Sequence, residues 1–188
     1  MFNLYKKEES KIDIDGVVFD IDASFDVILR LLQLLKDERF SPGERVLIGL
    51  EMLISDTLAG YSLKDKNEIL KSILSEYVRV EEEITVDVLG NPMPKEKEEM
   101  FFSFDQDAEL IYAAFMQTYG IDLIDMQGKL SWTRFQALLN GLPENTRFSQ
   151  VVAIRKWNPG DDNKSKAQVM RELKEAYRLI DGEDAKDG

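Results

Sequence analysis

Asp20 and Asp22 stand two residues apart at the end of an apolar run, in the stretch VVFDIDAS, with Ser24 close behind. A strand-tip aspartate can attack phosphorus, and a second carboxyl two positions on can act as acid and base. Gly160, Asp161 and Asp162 add carboxylates of the kind that hold magnesium. Such chemistry needs a particular scaffold. The nucleophile must lie at the C-terminal tip of a central parallel strand, with further strands and helices alternating around it.

The paired aspartates resemble the opening motif of haloacid-dehalogenase-type phosphatases, but the surrounding chain does not supply that sheet. After residue 22 one helical period follows another, and β-branched runs are missing outside residues 84–89. Asp161 and Asp162 follow Pro159-Gly160, where they suit a turn or a helix start. A calcium loop fares no better, although Asp13, Asp15 and Gly16 mimic part of one. Its first ligand would be Lys11 and its last Asp22 rather than a bidentate glutamate. With no histidine and no cysteine the chain also lacks imidazole and thiolate chemistry. The expectation is a non-enzyme, with no catalytic residue, no metal and no cofactor.

Other elements read more directly. KIDIDGVVFDI alternates apolar and polar residues around Asp15-Gly16, a pair suited to a tight type I′ turn, which predicts a hairpin. Helical stripes follow at Phe25, Ile28, Leu29, Leu32 and Leu35 behind Ser24 as N-cap, and at Val46, Leu47, Leu50, Leu53 and Ile54. Ser41, Pro42 and Glu44 form a capping box with proline at the first helical position. A third stripe runs from Ile69 to Val78. Ser103 and Gln106 predict another capping box before a helix carrying Phe104, Ala108, Ile111 and Phe115, with Gly120 as its left-handed stop. Shorter helices are predicted from Ser131 to Gly141 and from Pro143 to Lys156. A last one runs from about Ser165 to Ile180.

The fold class expected is mainly α: an N-terminal β-hairpin packed on a multi-helix bundle, with a mobile acidic insertion. Residues 1–80 form the hairpin and first helices, 81–100 the proline- and glutamate-rich insertion, 101–180 the C-terminal helical half and 181–188 a disordered tail. These parts are expected to make one compact unit. Net charge is −12, with 13 Lys/Arg against 27 Asp/Glu in residues 1–125 and 11 against 9 thereafter. An acidic surface repels phosphate backbones, so nucleic acid is not an expected partner. No apolar run approaches the roughly 18–20 residues of a membrane span, and the first residues lack a secretory core. The chain reads as a soluble, cytoplasmic protein with no membrane partner.

The segments FSFDQDAELIYAAFMQTYGIDL, LSWTRFQALLNGL and FSQVVAIR, together with IDIDGVVFDIDASF and SPGERVLIGLEMLI, resemble the bacteriophage gene-product-fifteen proteins. That family comes from long-tailed phages and prophages of Gram-positive bacteria. Its members usually show His-Trp-Trp where this chain has Ser131, Trp132 and Thr133, so one indole is missing here. The resemblance implies a tail assembly chaperone, made in the host cytoplasm and absent from the finished virion. Such a chaperone keeps the long helical tape measure protein soluble until tail-tube subunits close round it. The major tail protein and a shorter companion chaperone are further implied partners. The rival reading is a structural tail or neck component retained in the particle.

A chaperone of apolar helices needs adaptable apolar side chains on amphipathic helices. Met93, Met100, Met116 and Met126 cluster around the middle of the chain, and Trp157 adjoins a Pro-Gly turn. The candidate partner-binding residues are Trp157, Trp132, Phe135, Met116 and Met126. Core anchoring is the competing role for Trp132 and Phe135, and Arg155 is expected to form an ion pair or to cap a helix.

Overall fold

A computed structural model describes residues 4–5, 9–55, 58–78, 101–160 and 164–180, with the side chains of 164 and 165 left out. The expected insertion and tail lie outside the described residues, as do Met93, Met100, Asp161 and Asp162. The architecture is mainly α: among the described residues, seven α-helices follow one antiparallel hairpin.

Strands β1 (Lys11–Ile14) and β2 (Val17–Asp20) pair with Ile12 opposite Phe19 and Ile14 opposite Val17. Asp15 and Gly16 both take positive φ, 53° and 84°, as the two-residue turn demands. The Asp13 carboxylate accepts the Gly16 N–H at 2.8 Å, a bond that closes the turn. Asp20 lies opposite Lys11 at the end of this two-stranded ribbon, exposed to solvent. Ile12, Ile14 and Ile21 are buried, while Val17 beside the turn stays exposed although it shares the apolar alternation. The Tyr77 hydroxyl accepts from the Lys11 N–H (2.9 Å) and donates to the Lys11 carbonyl (2.7 Å), which ties β1 to a helix.

Helix α1 (Phe25–Lys36) starts after Ser24, yet the Ser24 side chain does not cap it. Its hydroxyl donates instead to Asp22 Oδ1 at 2.6 Å, and Ser24 pairs in a bridge with Ser131. The buried face of α1 is Phe25, Val27, Ile28, Leu31 and Leu34. The expected stripe was rotated: Leu29, Leu32 and Leu35 are only half-buried. Helix α2 (Pro42–Leu53) has the predicted box, Ser41 and Glu44 bonding reciprocally. Helix α3 (Leu63–Ile73) carries a second one, Ser62 with Asp65, and runs into a π-helical turn, Leu74–Val78. Hydrogen bonds from the two serines hold Glu44 and Asp65 below the usual carboxylate range.

Gly49 faces the α1 and α3 side of α2. A Cβ there would meet Leu31 Cδ1 at 2.9 Å, and Leu70 lies just beyond. Leu31 is fully buried, so moving its Cδ1 aside presses on packed neighbours. Gly49→Ala gains about 1 kcal/mol of helix propensity but overpacks the crossing by more, for a net loss of about 1 kcal/mol. Urea unfolding measures this, and a net gain in stability would show that Leu31 yields.

Helix α4 (Ala108–Tyr119) ends at Gly120, whose φ of 64° is the predicted left-handed stop. Its start departs from the expected box. Ser103 Oγ accepts the N–H groups of Asp105 and Gln106, but the Ser103 N–H donates to Asp107 Oδ2, at 2.9 Å, rather than to Gln106. Helix α5 (Trp132–Asn140) matches expectation. Helix α6 (Arg147–Lys156) starts four residues late, because both the N–H and the hydroxyl of buried Thr146 donate to the Pro143 carbonyl and close a turn there. Helix α7 (Lys164–Ala176) stops four residues short of Ile180.

The described residues form two compact units. One draws on Met1–Ile84 with Ile124–Leu138, the other on Thr85–Leu123 with Leu139–Gly188. The segment Ile124–Leu138 thus joins the hairpin and α1–α3, although chain order sets it among the C-terminal helices.

Candidate interaction surface

In the second unit the polar framework centres on Arg155, in the last turn of α6. Its guanidinium meets Asp107 in a two-pronged pair, Nη1 to Oδ2 at 2.6 Å and Nη2 to Oδ1 at 2.9 Å. The two side chains are 10% and 3% exposed. The remaining donors read main chain: Nε donates to the Tyr177 carbonyl (2.6 Å) and Nη1 to that of Phe101 (3.1 Å). Arg155 therefore fastens the chain before α4, the start of α4 and the exit from α7 to one helix. This is the ion-pair role expected of it.

Aromatic rings surround the lock. Phe102 stands edge-on to Phe104 and Phe148, with centroids 5.1 and 5.6 Å away. Lys156 Nζ sits 5.4 Å from the Phe101 ring centre. Arg147 covers the Tyr177 ring at 5.2 Å and donates to its hydroxyl. Past Tyr177, the Gln106 side chain pairs with the main chain of Ile180 through both polar atoms. Its amide nitrogen donates to the carbonyl (2.7 Å) and its oxygen accepts the N–H (2.9 Å).

The five candidate contact residues do not gather in one place. Trp132 and Phe135 are buried in the first unit, where Phe135 stacks on Phe25 at 4.9 Å and on Trp132 at 5.6 Å. Core anchoring is their role in this structure, and they offer no surface. Met126 is half-buried in the same unit, in the segment before α5. Met116, 40% exposed on α4, and Trp157, half-buried as the residue after α6, belong to the second. Lys174 of α7 donates to the Trp157 carbonyl at 3.1 Å, so this tryptophan adjoins the α6–α7 packing.

Sequence reasoning missed Gln106 as a main-chain reader, Tyr177 as a doubly held residue and the exposed valines of the hairpin. Val17 and Val18 are 55% and 59% exposed. Gln106 was visible only as half of a capping box, and nothing local to it points toward residue 180. Among the described residues no three carboxylates converge as metal ligands, and no helix is long and apolar enough to cross a membrane.

No curated protein and no solved structure matches the chain. The family model described as Bacteriophage Gp15 protein matches residues 7–179, a span that takes in both strands and all seven helices. With that match across both units, the chain belongs to the bacteriophage Gp15 protein family.

Proposed function

We propose that this chain is a non-catalytic tail assembly chaperone that binds the tape measure protein and keeps it soluble in the host bacterial cytoplasm. The observation that carries this reading is membership of a bacteriophage family across residues 7–179. The second unit is compatible with it, because Met116 and Trp157 leave apolar surface at α4 and at the end of α6. An acidic chain of net charge −12 also suits a holder that must keep an apolar helix dispersed.

Co-expression tests the reading. Fragments of the tape measure protein that aggregate alone should move into the soluble fraction as a complex with this chain. Trp157→Ala should weaken that complex while circular dichroism stays unchanged, since the ring is only half-buried. If overlapping fragments all remain insoluble beside the wild-type chain, the chaperone reading fails. Mass spectrometry of purified virions then decides the rival: a retained tail or neck component is present in particles, a chaperone is not.

A further inference from the structure

The hairpin has two outer edges, and the two differ. Beside a two-residue turn Ile14 and Val17 form a hydrogen-bonded pair, as do Ile12 and Phe19 two positions on. Lys11 and Asp13 on β1, and Val18 and Asp20 on β2, therefore turn their N–H and carbonyl groups outward. On β1 the Tyr77 hydroxyl takes both outward groups of Lys11, which leaves only Asp13, too little to seat a further strand. On β2 nothing among the described residues bonds to the outward main-chain groups of Val18 and Asp20. This edge closes only at Asp22, whose N–H donates to the Leu53 carbonyl at 2.8 Å.

The side chains along β2 are open as well. Val17 and Val18, on opposite faces of the ribbon, are 55% and 59% exposed, and Phe19 is half-buried. Lysine, proline and bulges, the usual guards of an exposed strand, are missing from β2. Charge guards it instead. Residues 9–22 carry five carboxylates, on Glu9, Asp13, Asp15, Asp20 and Asp22, against the single cation Lys11, which is paired with Glu9 at 3.1 Å. A second copy laid along β2 would bring two such acidic segments together, and like charges across strands repel. A cationic strand meets the opposite condition.

We propose that the outer edge of β2 is a β-addition site for an extended, cationic segment of a partner protein. Val18 and Asp20 each offer one donor and one acceptor to the main chain of that segment. Its side chains are apolar beside Val17, Val18 and Phe19, and its lysines or arginines lie towards Asp20 and Asp15. The site belongs to the first unit, whereas Met116 and Trp157 belong to the second, so it stands or falls separately from the chaperone reading.

Amide NMR of the full chain tests the site, with a peptide that alternates valine and threonine between terminal lysines as the probe. The Val18 and Asp20 N–H signals should shift and gain protection from exchange, while the Lys11 N–H, already bonded to Tyr77, holds still. N-methylation of the central peptide residues, or glutamate in place of the lysines, should each weaken binding by about tenfold or more. Val18→Pro removes an outward donor that the hairpin ladder does not use, so circular dichroism should stay unchanged while binding is lost. Absence of shifts at Val18 and Asp20, or equal binding of the N-methylated or the acidic peptide, overturns the site. So does a Val18 amide already protected in the free chain. A second copy then fills the edge if sedimentation shows a dimer, and the chain itself fills it if sedimentation shows a monomer.

Discussion

Asp107→Ala should destabilise the second unit by about 3–5 kcal/mol. The Arg155 guanidinium would remain in place, mostly buried, facing a methyl group where it now has a two-pronged carboxylate. The Ser103 N–H would lose its acceptor as well. Arg155→Met should be damaging for the complementary reason, stranding Asp107 and freeing the carbonyls of Phe101 and Tyr177. The double variant should fall short of the sum of the two losses by about 1–3 kcal/mol, the signature of groups that act on each other. It should still lie below the wild type, because main-chain groups stay unpaired. Urea unfolding followed by Trp157 fluorescence reads out this unit, and strictly additive losses would refute a coupled lock.

Phe135→Ala should cost about 3–5 kcal/mol in the first unit. The ring is almost wholly buried and stacks on both Phe25 of α1 and Trp132. Removing it takes away a stacking partner of both Phe25 and Trp132 and leaves a cavity beside them. Main-chain bonds on both sides of Ser24 hold the same segment in register: Phe25 N–H to the Leu130 carbonyl (2.9 Å) and Trp132 N–H to the Ala23 carbonyl (2.8 Å). The buried Trp132 should therefore report the loss directly, as a red shift of its emission at lower urea concentration. A cost under about 1 kcal/mol would mean that Ile124–Leu138 does not depend on this stack for its place.

Much of the architecture was legible because its causes are local. Asp15-Gly16 can satisfy the positive φ values of a tight turn whatever lies elsewhere. Ser41, Pro42 and Glu44 begin a helix from groups three residues apart, and Gly120 ends one by its own backbone freedom. The candidate surface was legible only in part. Met116 is exposed and Trp157 half-buried, whereas Trp132 and Phe135 are buried, Phe135 stacked on Phe25 more than a hundred residues earlier in the chain and Trp132 stacked on Phe135.

By itself, then, the sequence determined a mainly helical chain with one hairpin, the starts and stops of most helices, and a spaced pattern specific enough to name a phage family. Tertiary structure decided which competing partner each polar group took. Ser24 looked like a cap and bonds Asp22 instead; Gln106 looked like half of a capping box and grips Ile180, 74 residues away. It also decided that Ile124–Leu138 packs with the hairpin and the first helices rather than with its chain neighbours. The reason is one of range. Turn and capping energies arise between residues a few positions apart and can be read in a line of letters. The choice among near-equal hydrogen-bond acceptors, and among faces of an apolar helix, is made by groups that only folding brings within 3 Å.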